Sequence, residues 1–400
     1  MRFVRKKELI RDYFVIILFI ACSDAIFWKG VLSAAVTYPL LLVVAYVNFI
    51  CKKGITINKL SFLYILGCGC LCGINYFVTS CSYIDNSMIG FFFSMFATCL
   101  IISAYDFFYF REILTNVIFF IVLIGIPIFF LTEQDVLPTR IMVAHDDVSY
   151  ISYGIYILGW DPYVFGRFAG IWHEPGACQI ILNSVLWMHF DDIVHWRWQH
   201  GTLFKCSIIL LGSVLTFSTG SYLVLMLLGG TILLKMKIKG KNRLFIVCIL
   251  LLIIPSLLYL LFSSPVIQNK LFDNEGEMTS KIVRYADINA LWQMIQERPI
   301  LGFGLGTEEF WSASSKYGNT TSSSGILAYT AAMGVPWLLF YLCFLWKGCE
   351  RLNLGNGTFF LVMAVVIMQF NECYIEYPIS CIFLFSYSSY IDDSNILSYQ

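Results

Sequence analysis

The chain has 400 residues, of which 58% are hydrophobic and only 13% are charged. Soluble proteins have roughly 45–50% apolar and about 25% charged residues, so this composition excludes a soluble globular enzyme, a disordered chain and a small disulfide-stabilised domain. Basic and acidic residues number 26 each, and this balance gives no indication of a nucleic-acid partner. The composition predicts a polytopic membrane protein.

Apolar segments that suit membrane helices recur along the whole chain. A helix needs about 20 mainly apolar residues to cross the hydrocarbon core. The sequence therefore predicts an all-α polytopic membrane protein with about 12 transmembrane helices, or ten or eleven because several segments are short. The segments are 12–28, 30–50, 60–82, 86–104, 112–131, 175–190, 203–217, 221–234, 244–262, 324–346, 357–371 and 376–390.

Two long connections divide these segments, and both are expected to contain short helices. The predicted parts are membrane helices 1–5 in 1–131, a first outward loop in 132–174, membrane helices 6–9 in 175–262, a second outward loop in 263–322, and C-terminal membrane helices with a cytoplasmic tail in 323–400. With the amino terminus in the cytoplasm, most Lys and Arg residues fall in cytoplasmic segments, as the positive-inside rule requires. The basic run in 235–243 would otherwise face outward.

The first loop ends in charged residues beside a helix start. Pro175 suits the first position of the next membrane helix, because its missing N–H costs nothing there. Arg167, His173 and Glu174 would then gather at the positive end of that helix, which attracts phosphate or pyrophosphate. A simpler interpretation is that Glu174 only complements the helix dipole and Arg167 pairs with it.

The second loop contains an apolar stripe with helical spacing. The stripe predicts an amphipathic helix outside the bilayer or on its surface, closed by Pro299. Its members are Ile288, Leu291, Trp292 and Ile295. Arg284 lies on the same helix, three residues before Asp287, and an exposed ion pair between them is the simplest interpretation.

A glycine-rich stretch, 298–306, follows this helix. Its alternating glycines resemble a dinucleotide-binding fingerprint, but no strand precedes them and they lie in an outward loop. A tight backbone turn is the better interpretation.

Three elements together resemble the O-antigen and capsule polymerase (Wzy) family, which is related to the O-antigen ligases. They are the sequence RFAGIWHEPGA in 167–177, the element in 216–221, and RPILGFGLG in 298–306 with the apolar segment that follows it. The element in 216–221 departs from the family pattern because it lacks the basic residue often found there.

The resemblance implies a metal-independent membrane glycosyltransferase of the bacterial inner membrane that uses no cofactor. It would polymerise undecaprenyl-pyrophosphate-linked repeat units on the outer face, with a chain-length regulator and a flippase as further partners. Arg167 and Arg284 would hold the departing pyrophosphate, because arginine binds it with two parallel charge-assisted bonds. Glu174 or His173 would be the base for the attacking hydroxyl.

The same resemblance gives a substrate-binding role to Arg298, Gly302 and Gly304 in the glycine-rich stretch. Related ligases place a histidine late in the second loop, and no histidine follows His200 here, which favours polymerase over ligase. A polytopic membrane protein could also be a lipid-linked oligosaccharide flippase or transporter, or have a purely structural role. Transporters usually show symmetric halves, which this chain lacks.

Two further groups of polar residues have no assigned role. One cluster resembles a metal site, but its predicted cytoplasmic position and interleaved Trp196 and Trp198 favour an interfacial belt. Its members are His189, Asp191, Asp192, His195 and His200. Asp24 and Glu376, near outward helix ends, are functional candidates because charged groups are costly in a membrane.

Overall fold

The computed structural model describes residues 6–26, 34–52, 57–79, 86–143, 148–164, 166–195, 201–235, 259, 280–318, 324–352 and 357–389. Five helices precede the only sheet within this part of the chain. They are α1 (Lys6–Ala21), α2 (Ala34–Cys51), α3 (Lys59–Thr79), α4 (Asn86–Ala104) and α5 (Phe107–Glu133). Ten α-helices follow the sheet among the described residues. They are α6 (Pro175–Met188), α7 (Phe190–His195), α8 (Thr202–Leu215), α9 (Thr219–Lys235), α10 (Ser280–Glu297), α11 (Glu308–Lys316), α12 (Gly325–Met333), α13 (Val335–Arg351), α14 (Thr358–Asn371) and α15 (Pro378–Phe385).

The helices have the length, composition and outward surface of a membrane protein. By length and composition, α5 and the segment Lys59–Val78 of α3 can each cross a bilayer, and six shorter apolar helices accompany them in the described chain. Val47, Phe62 and Phe120 are each more than half exposed, as apolar side chains that face lipid are expected to be. The mainly helical membrane class is therefore supported. The count of twelve spans stays a prediction, and segment 244–262 lies outside the described residues.

The predicted span 324–346 is wrong as a single helix. Gly334 separates α12 from α13 with a φ of +84°, and a Cβ there would collide with the carbonyl oxygen of Ile300. The Val335 N–H donates to the Pro299 carbonyl at 2.7 Å instead of continuing α12. The backbone of the second loop thus packs into the break, and only glycine fits this conformation and contact.

The first long loop forms a sheet, so the prediction of short helices there is wrong, and the fold is mainly helical rather than all-α. Its strands are β1 (Arg140–Val143), β2 (Ser149–Tyr153), β3 (Tyr156–Trp160) and β4 (Tyr163–Val164), antiparallel in the order β1-β2-β3-β4. Aromatic and β-branched residues favour strands, and alternate residues of β2 are buried. Gly154, with a φ of +59°, lies in the turn between β2 and β3.

The second loop contains the predicted helix, but the buried face of this helix differs from the predicted one. Leu291 and Ile295 are buried as expected, whereas Trp292 is 52% exposed. Asp287 and Met294 are buried in its place, and α10 packs against α12. The short helices α10 and α11 confirm that the second loop carries helical structure.

Helix α6 lies in the centre of the bundle. All of its residues are buried, and it packs against α5, α8, α9 and α14. A helix that is covered on every side is held firmly in place. Its N-terminal end therefore holds the residues that precede it in a fixed position.

Candidate active site

The segment that precedes α6, residues 166–174, is held by three other parts of the chain. The Phe168 N–H donates to Leu215 at the end of α8 at 2.9 Å, and the Ile157 N–H of β3 donates to Gly170 at 2.8 Å. The Ile26 N–H, after α1, donates to Ile171 at 3.0 Å. These bonds fix the backbone that carries Arg167, His173 and Glu174. Pro175 begins α6, as predicted.

His173 lies between two carboxylates. Its Nδ1 contacts Asp24, and its Nε2 lies 3.4 Å from Glu174 Oε1. The Tyr374 hydroxyl donates to Asp24 at 3.0 Å, and the Tyr374 ring stacks on the imidazole with centroids 6.2 Å apart. Burial alone would lower the pKa of His173, but Asp24 and Glu174 raise this pKa to about 10. His173 is therefore an imidazolium at neutral pH, which makes it a poor base.

Glu174 meets a second carboxyl group, Glu372, which follows α14. Oxygen atoms of both side chains converge above Gly176, and Arg284 Nη2 donates to Glu372 Oε1 at 3.0 Å. The expected pair of Arg284 with Asp287 is thus replaced by a pair across the fold. Burial and the charge of Glu174 raise the pKa of Glu372 to about 8. Burial also acts to raise the pKa of Glu174, but His173 outweighs it and holds this pKa at about 2.

Arg167 belongs to the same group of charges. Burial lowers its pKa, while the nearby charges of Glu174 and Glu372 act to raise it and that of Arg284 acts to lower it. We call this group the charged cluster. It consists of Asp24, Arg167, His173, Glu174, Arg284 and Glu372.

The charged cluster has a small excess of positive charge. Its three cations face three carboxyl groups, and the raised pKa of Glu372 keeps that group protonated at neutral pH. One cation is therefore left in excess at the N-terminal end of α6, which itself favours anions. His173, Glu174 and Arg284 are partly exposed, so an anion can reach the cluster.

The three predicted substrate-binding residues lie in a separate turn. Arg298 pairs with Glu309, and its guanidinium lies 4.6 Å from the centre of the Phe303 ring. The N–H groups of Phe303 and Gly304 donate to the end of α12, and Gly302 has a φ of +69° against the same backbone. The turn thus anchors the second loop to α12. The substrate-binding role of Arg298, Gly302 and Gly304 stays a prediction.

The element in 216–221 takes part in a buried polar network. Ser221 Oγ lies 2.8 Å from Ser213 Oγ, which donates to Asn183 on α6. Gly220 approaches Asn371, next to Glu372, so closely that a Cβ would lie 3.1 Å from its side chain. These contacts tie α9 to α6 and to the end of α14. The element therefore supports the position of Glu372.

Sequence reasoning gave no role to Asp24 and did not identify Glu372 or Tyr374. The sequence does mark Glu372 and Tyr374 in one way. They lie in a polar stretch, Asn371–Tyr377, between two apolar segments, and acidic residues are rare at such positions in a membrane protein. Glu376 lies in this stretch too and accepts a hydrogen bond from Tyr329 at 3.2 Å.

The residues around His189 form a compact ion-pair network at the opposite end of α6. Asp192 accepts from Arg111 at 2.8 Å and lies 3.1 Å from His189 Nδ1, and His189 Nε2 lies 2.9 Å from the Thr115 hydroxyl. In the described part of the chain, no three His, Cys, Asp or Glu residues are grouped as a metal site requires. His200 and the side chain of His195 lie outside the described residues.

Comparison with known proteins gives one family match. Residues 205–342 match the model of a family described as O-antigen ligase, and this region contains Arg284 but not Arg167, His173, Glu174 or Glu372. No curated protein matches the chain. The match covers about a third of the chain and does not distinguish ligase from polymerase. It supports a relationship to the O-antigen ligases and Wzy proteins, which are membrane glycosyltransferase-like enzymes.

Proposed function

We propose that the protein transfers a glycan from undecaprenyl pyrophosphate to an acceptor sugar on the outer face of the bacterial inner membrane. The observation that carries this proposal is the meeting of Arg167 and Arg284, from two loops, with carboxyl groups at the start of α6. The amino terminus lies in the cytoplasm in this proposal, so the charged cluster faces outward. Nucleotide sugars are absent there, and a lipid pyrophosphate supplies the activated donor.

The two arginines hold the leaving group. Planar guanidinium groups bind pyrophosphate with paired hydrogen bonds and stay charged. Arg284 donates to Glu372 and is one-third exposed, so it can exchange that carboxylate for a donor phosphate. Charge that develops on pyrophosphate as the sugar leaves is then stabilised by groups already in position.

We assign the acceptor as another lipid-linked repeat unit, which makes the enzyme a polymerase. The absence of a histidine after His200 supports this assignment. The family match supports a second candidate, an O-antigen ligase, whose acceptor is the lipid core.

The test is replacement of Arg167 or Arg284 by Ala in cells whose surface glycan is analysed on gels. A polymerase variant leaves a core that bears one repeat unit, because export and ligation continue. A core without any repeat, with long chains left on the lipid carrier, identifies a ligase instead. Lys316→Ala is the control, because Lys316 lies in an exposed pair with Glu297. Normal long chains in both arginine variants would overturn the proposal.

A further inference from the structure

Two carboxyl groups converge above Gly176, in the first turn of α6. A Cβ on Gly176 would collide with Glu372 Oε1 and lie 3.3 Å from Glu174 Oε1. Two ionised carboxylates this close repel each other, and burial together with the charge of Glu174 raises the pKa of Glu372 to about 8. The pair therefore holds one proton at neutral pH, and the missing side chain of Gly176 provides the space for the two groups to meet.

The remaining members of the charged cluster are unsuited to accept a proton. His173 carries its own proton and contacts carboxylates through both ring nitrogens. Asp24 is 1% exposed and already contacts His173 and the Tyr374 hydroxyl. Arg167 and Arg284 stay charged.

The carboxyl pair has an exposed and a sheltered member. The Glu174 side chain is 24% exposed, whereas that of Glu372 is only 10% exposed and accepts a hydrogen bond from Arg284. A sugar hydroxyl that approaches the arginine-bound donor therefore reaches Glu174 first.

We infer that Glu174 and Glu372 act together as a single proton acceptor for the attacking sugar hydroxyl, with Glu174 facing the hydroxyl and Glu372 sharing the proton. This inference rests on the proposed glycan transfer. The hydroxyl oxygen forms a bond to the anomeric carbon while the bond from that carbon to pyrophosphate breaks. The electron pair of the broken bond leaves with pyrophosphate, and the hydroxyl proton goes to the carboxyl pair.

The charges around the pair suit this role. Arg167 and His173 face it from segment 166–174 and Arg284 faces it from α10, while Asp24 lies behind His173. The Cys373 thiol, next to Glu372 in sequence, is also close enough to Glu376 and Asp287 for their charges to act on it. Because the two carboxyl groups titrate as a unit, the upper pKa of about 8 belongs to the pair. The fully ionised pair is the acceptor, and its affinity for a proton matches a working pH near neutral.

The first test is the pH dependence of glycan transfer. Membrane vesicles that contain the wild-type protein and the cell's own lipid-linked glycan are assayed between pH 6 and 9. Because only the ionised pair accepts a proton, the initial rate should rise about tenfold per pH unit and level off near pH 8. A flat wild-type profile over this range would overturn the inference, whatever any variant does.

The second test separates the pair by substitution. Glu372→Gln should lower the rate at pH 8 by about a hundredfold or more and remove the rise with pH, while Glu372→Asp should restore part of that rise. Gly176→Ala keeps both carboxyl groups but moves them apart, so it should also weaken the pH dependence. Gly230→Ala in α9 is the matched control, because a Cβ there meets no atom within 4 Å.

Binding of undecaprenyl pyrophosphate, measured by tryptophan fluorescence, separates this inference from the proposed function. Glu372→Gln should bind within about threefold of wild type, because the arginines remain. If the arginine variants lose transfer while Glu372→Gln keeps the wild-type pH profile, the inference fails and the proposed function stands. If wild-type vesicles transfer no glycan, the proposed function itself fails.

Discussion

The two ends of α6 carry the same types of residue in different surroundings. At the N-terminal end, His173 meets Asp24 and Glu174, and at the C-terminal end, His189 meets Asp192, which also pairs with Arg111. The His189 cluster is buried, and Arg111 also donates to the last carbonyl of α6, Met188, at 2.9 Å. The charged cluster is partly open and has a cation in excess. Accessibility and charge balance, rather than residue type, therefore distinguish the proposed reactive site from the buried ion-pair network.

The largest expected difference between the two ends of α6 concerns the side of the membrane that each faces. In a cysteine-free version, single cysteines in place of Arg140 and Lys316 should react with an impermeant maleimide added to cells. A cysteine in place of Glu8 should react only after the membrane is opened. Strong labelling at position 8 in intact cells would reverse the orientation and place the charged cluster on the inner side.

The next largest effect is a loss of stability. We expect it from substitutions in the His189 cluster, which consists of Arg111, Thr115, His189 and Asp192, and not from those in the charged cluster. Arg111→Ala leaves Asp192 buried without its cation, which should lower the free energy of unfolding by about 3–5 kcal/mol. Thermal unfolding in detergent measures this change, with Arg351→Ala at the exposed end of α13 as the control. Transfer per folded molecule should not change. A variant of normal stability but without activity would place the His189 cluster in the mechanism.

A substitution of an arginine in the charged cluster should instead lower activity without changing stability. Arg284→Lys keeps the charge but loses the planar fork, so transfer should fall about 10- to 100-fold. Thermal unfolding should stay close to that of wild type, because the Glu372 partner remains cationic. Full activity in this variant would mean that Arg284 acts only as a charge.

A smaller effect is expected at Arg298, in the turn outside the charged cluster. Its pair with Glu309 is partly exposed, so Arg298→Ala should cost less than about 1 kcal/mol of stability and change transfer less than about fivefold. Side-by-side assays with Arg284→Ala test this contrast. Equal losses in the two variants would restore the substrate-binding role predicted for Arg298.

The smallest effect on glycan transfer is expected from the removal of divalent cations by a chelator. If arginines stabilise the leaving pyrophosphate, transfer in vesicles should continue unchanged in excess EDTA. A loss of activity that a divalent cation restores would indicate a metal-assisted reaction.

Local patterns made part of the charged cluster predictable. Arg167, His173 and Glu174 lie within eight positions of Pro175, so a helix start is enough to bring them together. Arg284 was expected from the family resemblance. The role of Glu372 was not predictable because its partners lie far away in sequence. The hydrophobic periodicity of a helix does not indicate which other helix it packs against, so the contact between α14 and α6 could not be inferred.

The membrane helices were predictable where the length of an apolar segment determines them. Helix breaks and buried faces were harder to predict, because they depend on packing between distant parts of the chain. Segments 12–28 and 324–346 have the composition of membrane spans, yet α1 ends at Ala21 and Gly334 breaks the later one. Trp292 fits the helical stripe by spacing, but the packing of the folded protein leaves it exposed and buries Met294 instead. The sheet in 140–164 shows that the aromatic and β-branched residues of the first loop favoured strands over helices.

The position of Glu372 late in the chain has a consequence for biosynthesis. Membrane proteins are made and inserted from the N-terminal end, and Glu372 is supplied after every other member of the charged cluster. A nascent chain that has placed both arginines still lacks the carboxyl group that pairs with Glu174 and Arg284. The inferred proton acceptor is therefore complete only after α14 has entered the membrane, and an unfinished enzyme has no means to begin transfer.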